Sequence, residues 1–153
     1  MTTRRPPMVR TGPSRDDAHE IKFFRRHVED DPLEMAPGRE FLRVCDPAVR
    51  MKLRATLAAV ANAPPHRFAG GGFWEAMHGE MTGWYEARRA GRHRMQYRLF
   101  CLIDTAAIGA ERPWLVVVAG LRKPAGTGFA PGDYRWVRAL GEEYLARNPR
   151  SVV

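Results

Sequence analysis

Apolar side chains follow two rhythms along this chain, alternating in some stretches and recurring every three to four residues in others, and the rhythms divide it into strands and helices. The run EIKFFRRH, with Ile21, Phe23 and Phe24, predicts a first strand, and DDPLEMAPG after it predicts a loop. A short helix is expected over GREFLRVC. Asp46 then precedes Pro47, an N-cap followed by a residue suited to the first helical position, and Val49, Leu53, Leu57 and Val60 recur at helical spacing until Pro64 and Pro65. The glycines of HRFAGGG do not predict a phosphate cradle, because no Lys-Ser/Thr pair follows Gly72 and no strand–loop–helix pattern flanks them.

Three strand patterns follow: GWYEARR, HRMQYRLFCLID and WLVVVAGLRK. Their short connections favour an antiparallel meander, with the longer link TAAIGAER protruding. After Pro131, the spacing of Tyr134, Val137, Leu140 and Tyr144 predicts a C-terminal helix closed by Asn148 and Pro149. The expected fold is therefore α+β, with an N-terminal strand and two helices packed on a small antiparallel sheet, and a final helix. Residues 1–19, with Pro6, Pro7 and Pro13 and no apolar period, are expected to form a disordered arm, and residues 20–150 a single domain.

Charge narrows the class. Lysine and arginine number 25 against 17 acids, a net charge of +8, which favours a polyanionic partner such as nucleic acid. Cys45 and Cys101 lack CxxC spacing and the histidines form no HxxxH pair, so no structural zinc or other cofactor is implied. The basic N-terminus has no apolar signal segment and no later run suggests a membrane span, which predicts a cytoplasmic protein with reduced cysteines.

The positive charge is concentrated. From Arg88 to Arg98 the chain has five arginines and one histidine with no acid. Alternation puts Met95, Tyr97, Leu99, Cys101 and Ile103 on one face of their strand, a core face, and Arg94, Gln96, Arg98, Phe100 and Leu102 on the other. A turn over Arg89–His93 would set Arg88 opposite Arg94 and gather Trp84, Glu86, Arg88, Arg94, Gln96 and Arg98 on one face. A two-residue turn at Ala90-Gly91 would put Arg88 with Met95 and Tyr97. The longer turn is expected because it segregates charge from core. Like charges paired across strands destabilise a sheet unless solvent or an anion meets them, and arginine's planar fork suits phosphate. Trp84 and Tyr85 add aromatic surface for stacking an unpaired base.

The segment WYEARRAGRHRMQYRLFCLID, followed by LVVVAGLRKP, resembles the paired strands and the apolar strand with a basic end of the RelE/ParE superfamily of bacterial type II toxins, in particular its HigB-like, phage-related branch. The similarity in element order covers about residues 20–147. The resemblance implies a compact toxin neutralised by a cognate antitoxin, often one with a helix-turn-helix DNA-binding domain. Many members are endoribonucleases that cut mRNA on the ribosome, whereas the ParE branch acts without catalysis on DNA gyrase. The chain departs from the pattern in its N-terminal arm, in the insertion from Ala106 to Glu111, and in LRKP where two lysines are more usual.

RNA cleavage by the neighbouring 2′-hydroxyl needs a base, an acid for the leaving 5′-oxygen and cations for the phosphorane, but no metal. Arg88 and Arg98 match arginine positions of the family and are the expected phosphate stabilisers, with Arg94 a third. Lys123 ends the last strand where the family has functional basic residues, and a lowered pKa would let it move a proton. His78 and His93 are alternative acid/base groups, while Gln96 and Arg122 would extend the RNA contacts. Glu86 beside arginines is expected to stay ionised as a counter-ion, and Tyr134 and Trp136 to pack. The expected function is thus a ribosome-dependent endoribonuclease toxin. The rivals are a ParE-like gyrase inhibitor and an inactive toxin-fold binding module.

Overall fold

The computed structural model describes residues 13–63 and 72–153. Its elements are β1 (Glu20–Phe23), α1 (Pro37–Val44), α2 (Pro47–Asn62), β2 (Trp74–Ala76), β3 (Tyr85–Ala90), β4 (Met95–Asp104), β5 (Trp114–Pro124) and α3 (Pro131–Leu145). They form an α+β domain around one five-stranded sheet of order β1-β5-β4-β3-β2. The meander β3-β4-β5 is antiparallel, as its short links predict, but β1 joins β5 in parallel, so the sheet is mixed rather than antiparallel. The short strand β2, which pairs with β3, was not expected; three residues carry too little periodicity to announce a strand.

The sheet is covered on both faces. On one side α1 and α2 bury Leu42, Val49, Leu53, Leu57 and Val60 against Tyr97, Leu99, Cys101, Leu115 and Val117. On the other, α3 buries Val137, Leu140 and Tyr144 against Phe100, Val116, Val118 and Ala119. Double coverage explains the unbroken apolar run in β5, since a central strand with cores on both sides has no polar face. Both cysteine thiols are free and buried in this interior.

Local signals start the helices. The Asp46 carboxylate accepts from the Ala48 N–H at 3.0 Å ahead of Pro47, and the Asp133 carboxylate accepts from the Ala130 N–H at 2.9 Å ahead of Pro131. Gly141 lets α3 sit directly on the Trp84 indole, which a Cβ there would strike. Gly141→Ala is accordingly expected to cost about 1–3 kcal/mol through overpacking, read as a lower urea midpoint; an unchanged midpoint would show that α3 does not depend on this contact.

Part of the expected arm is packed. Arg112 Nη1 donates to the carbonyls of Arg15 and Asp17 at 2.6 and 2.8 Å, and Asp17 and His19 are buried. The remainder of that segment, residues 1–12, and most of the HRFAGGG loop lie outside the described residues. The far end of the chain is fastened by a buried triad: Asp104 accepts from Tyr144 Oη at 2.6 Å and from Arg150 Nε at 3.0 Å. No helix among the described residues is long and apolar enough to cross a membrane.

Candidate active site

The hairpin register decides which cations meet. Arg88 pairs with Arg98, Arg89 with Tyr97 and Ala90 with Gln96, so Arg88 does not face Arg94 as the segregation of charge from core suggested. The connection lies two residues further along the chain than expected, because β3 runs on to Ala90 and a 3-10 turn, Arg92–Arg94, closes the hairpin, with His93 and Arg94 at φ +56° and +58°. Non-glycine residues in that region cost roughly 1 kcal/mol each, and although histidine enters it more readily than most, nothing in the residue type of Arg94 predicts it there. The slip is an even number of residues, so Glu86, Arg88, Gln96 and Arg98 still share a face.

That face lies beside α3, under partial cover. Arg98 is only 5% exposed, where the sequence suggested an open basic surface. Its Nη1 donates to the Tyr97 carbonyl at 3.2 Å and to Gln96 Oε1 at 3.4 Å. Glu86 is the one carboxylate between the two arginines, with its oxygens 3.5 Å from Arg88 Nε and 3.9 Å from Arg98 Nε. Elsewhere the molecule pairs arginine closely: Arg26 clasps Glu143 through two hydrogen bonds of 2.8 and 2.9 Å. The Glu86 contacts are loose by comparison, and Arg88 Nε makes no hydrogen bond.

Lys123 completes the group through a bulge. Between Phe100 and Cys101 the β4–β5 register shifts, with Phe100 opposite Ala119 but Cys101 opposite Val117. The extra residue on β5 reverses its alternation, so Lys123, paired with Gln96, joins Val116 and Val118 on the α3 face. Its ammonium lies 4.8 Å from the centroid of the Phe129 ring and makes no ion pair among the described residues. Three cations are therefore gathered around one carboxylate, a local excess of positive charge.

The electrostatics follow. Burial, then the neighbouring Arg88 guanidinium, lowers the pKa of Arg98, although an arginine stays protonated at any physiological pH. Burial together with Arg98 and Arg88 outweighs Glu86 and holds the Lys123 ammonium below the ordinary lysine value. From the first turns of α3, Tyr134 faces the same group; burial and Glu86 push its phenol up, so it remains a hydrogen-bond donor. Beside the cluster opens a cleft of about 510 Å³ whose walls include Met77, His78, Met81, Glu86, Arg88 and Tyr134.

The structure thus brings together Arg88, Arg98, Lys123 and Gln96, with His78 on the adjoining cleft wall. The other expected residues fall elsewhere. His93 and Arg94 are in the exposed β3–β4 turn, away from the residues lining the cleft. Trp84 is buried under α3, and Tyr85 stacks on Trp74 with centroids 5.2 Å apart on the opposite face, so neither offers a free stacking surface. Arg122 faces α1 beside Phe41 and Tyr97. Arg89, central to the basic run, also turns away, bonding Thr56 and lying 3.7 Å over the Phe73 ring.

Tyr134 packs as expected, its ring edge-on to Phe100 with centroids 6.3 Å apart, but sequence reasoning missed that the first turn of α3 also hangs it over the cluster. Among the described residues, no group of three or more His, Cys, Asp or Glu side chains converges to hold a metal ion. No family model, no curated protein and no solved structure matches this chain.

Proposed function

We propose that this protein is a toxin of the RelE/ParE type that cleaves mRNA on the ribosome by a reaction needing no metal. The observation that carries the reading is the convergence of Arg88, Arg98 and Lys123 on a partly covered sheet face, loosely balanced by Glu86, beside a cleft walled by His78 and Tyr134. A solvated basic surface would not bury one of its arginines.

In this reading the scissile phosphate lies across Arg88 and Arg98, whose fixed forks stabilise the charge that builds on its oxygens during attack. Tyr134, kept protonated, donates to a non-bridging oxygen. His78 takes the proton of the 2′-hydroxyl as that oxygen bonds to phosphorus, and Lys123, protonated but with its pKa lowered, gives a proton to the departing 5′-oxygen. The products are a 2′,3′-cyclic phosphate and a 5′-hydroxyl end. A cognate helix-turn-helix antitoxin is the expected partner.

The test is induced expression in a bacterial host, with growth followed alongside 5′-end mapping of mRNA. Growth arrest with new 5′-hydroxyl ends is expected, lost or strongly reduced in Lys123→Met. Arrest with intact mRNA would transfer the target to gyrase, and unimpeded growth would leave a binding module without catalysis.

Glu86→Gln separates binding from chemistry. Removing the shared carboxylate raises the cluster's positive excess by one charge, so binding of a labelled single-stranded RNA should tighten several-fold and depend more steeply on salt. An unchanged affinity would place the RNA elsewhere on the protein.

A further inference from the structure

On the other side of the sheet, α1 and α2 present a second concentration of arginine. Arg39 and Arg43 are one turn apart on α1, Arg50 and Arg54 one turn apart on α2, and all four line a cleft of about 440 Å³ with Glu34 and Glu40. The two pairs are not equivalent. Arg43 is bound by Glu40 through hydrogen bonds of 2.9 and 2.6 Å, and Arg50 donates to the Arg43 carbonyl at 3.2 Å. Arg39 and Arg54 are exposed and make no hydrogen bond or ion pair among the described residues.

Those same two arginines also line a neighbouring groove of about 480 Å³ whose other walls are Pro13, Ile21, Phe23, Leu57 and Val153. An apolar trough and a basic cleft therefore share one boundary, and the unpaired guanidinium groups stand on it. We infer that this composite surface is a docking site for an acidic, amphipathic segment of a partner protein, with apolar side chains in the trough and carboxylates on Arg39 and Arg54. Bidentate carboxylate pairing is the geometry a guanidinium fork favours.

Charge argues against the nearer occupants. Residues 1–12, which lead into Pro13 at the rim of the trough, include Arg4, Arg5 and Arg10 and no acid. A second copy of a chain with a net charge of +8 would bring like charge to like. Nucleic acid would satisfy the arginines, but it would leave the trough of Ile21, Phe23 and Leu57 unfilled. The site lies on the opposite face of the sheet from Arg98, so the inference is independent of the proposed catalysis.

The experiment is selection of a random-peptide display library on the immobilised full-length protein, followed by fluorescence anisotropy with a synthetic enriched peptide. Enriched sequences should interleave Asp or Glu with Leu, Ile or Phe. Their affinity should fall about tenfold or more in Arg39→Glu/Arg54→Glu and in the milder Arg39→Ala/Arg54→Ala, with circular dichroism showing that both variants stay folded. Affinity should persist in Arg98→Met, which separates this surface from the other cluster. Enrichment of basic or uncharged peptides, or equal binding to the double variants, would overturn the inference. Polyglutamate binding as tightly as the peptide would remove any role for the trough and overturn it as well. Displacement of the peptide by single-stranded RNA whose own binding needs Arg39 and Arg54 would give the surface to nucleic acid instead.

Discussion

Arg98→Met is expected to cripple the proposed ribonuclease activity and raise thermal stability in the same molecule. Arg98 is 5% exposed, and its nearest counter-charge is a Glu86 oxygen 3.9 Å away that also serves Arg88. Burial and the Arg88 guanidinium both disfavour its charge. A methionine of similar length would fill the space without that desolvation, and replacing buried ionic groups by apolar ones of similar volume is often neutral or stabilising by about 1–4 kcal/mol. For a domain of this size each kcal/mol moves the melting temperature by roughly 2–4 °C. Toxicity and RNA cleavage should meanwhile fall by about 10²–10³, the usual loss when one donor to a charged transition state is removed. Calorimetry and end mapping on the same preparation decide it. A variant that melts lower would make Arg98 a structural residue, and one that stays fully toxic would remove the cluster from the chemistry.

Asp104→Asn is expected to give the largest loss of stability. The Asp104 and Arg150 side chains are 3% and 8% exposed and 3.0 Å apart. An amide preserves the shape and a partner for Tyr144 but leaves the guanidinium buried without its counter-charge, a change that typically costs about 3–5 kcal/mol. Burial raises the Asp104 pKa, but the hydrogen bonds from Tyr144, the Ala106 N–H and Arg150, with the charge of Arg150, outweigh it and hold the carboxyl below its ordinary value. A depressed folded-state pKa sets the sign of the pH dependence. The stabilisation is fully present above the unfolded value of about 3.9 and is lost as pH falls through the lower folded value. Melting curves of the two proteins should therefore lie well apart at neutral pH and converge in acid. A separation that stays constant down to strong acid would assign the loss to something other than this charge.

Much of the architecture was legible because periodicity and caps agree locally. Val49, Leu53, Leu57 and Val60 fix the buried face of α2, Asp46 and Pro47 its start, and the alternation in MQYRLFCLID assigns Arg98 and Gln96 to one face whatever the hairpin register, with Arg88 joining them when the slip is even. What escaped depends on contacts distant in sequence. The parallel pairing of β1 with β5 leaves no local trace, and the cover that α3 lays over Phe100 leaves only one. A clue to that cover was present, since LVVVA lacks the polar alternation of a strand with one open face. At the site, Arg88 and Arg98 could be joined by parity alone. The place of Tyr134 over the cluster needed the docked helix, and His93 and Arg94 were misplaced because the turn, held by two left-handed non-glycine residues, sits two residues further along the chain.

The bulge opposite Phe100 and Cys101 gives β5 two phases, one before it and the other after. Lys123 and Arg122 are neighbours in the chain and strangers in space, one beside Phe129, the other beside Phe41. Which of them reaches the Arg98 side is set by a count of residues upstream, not by either side chain. Were the strand regular through Val118, with no residue bulged out, Arg122 would stand opposite Gln96 and a guanidinium would replace the ammonium there. Such a protein would keep its basic residues in the same order, and a comparison of composition would not register the change.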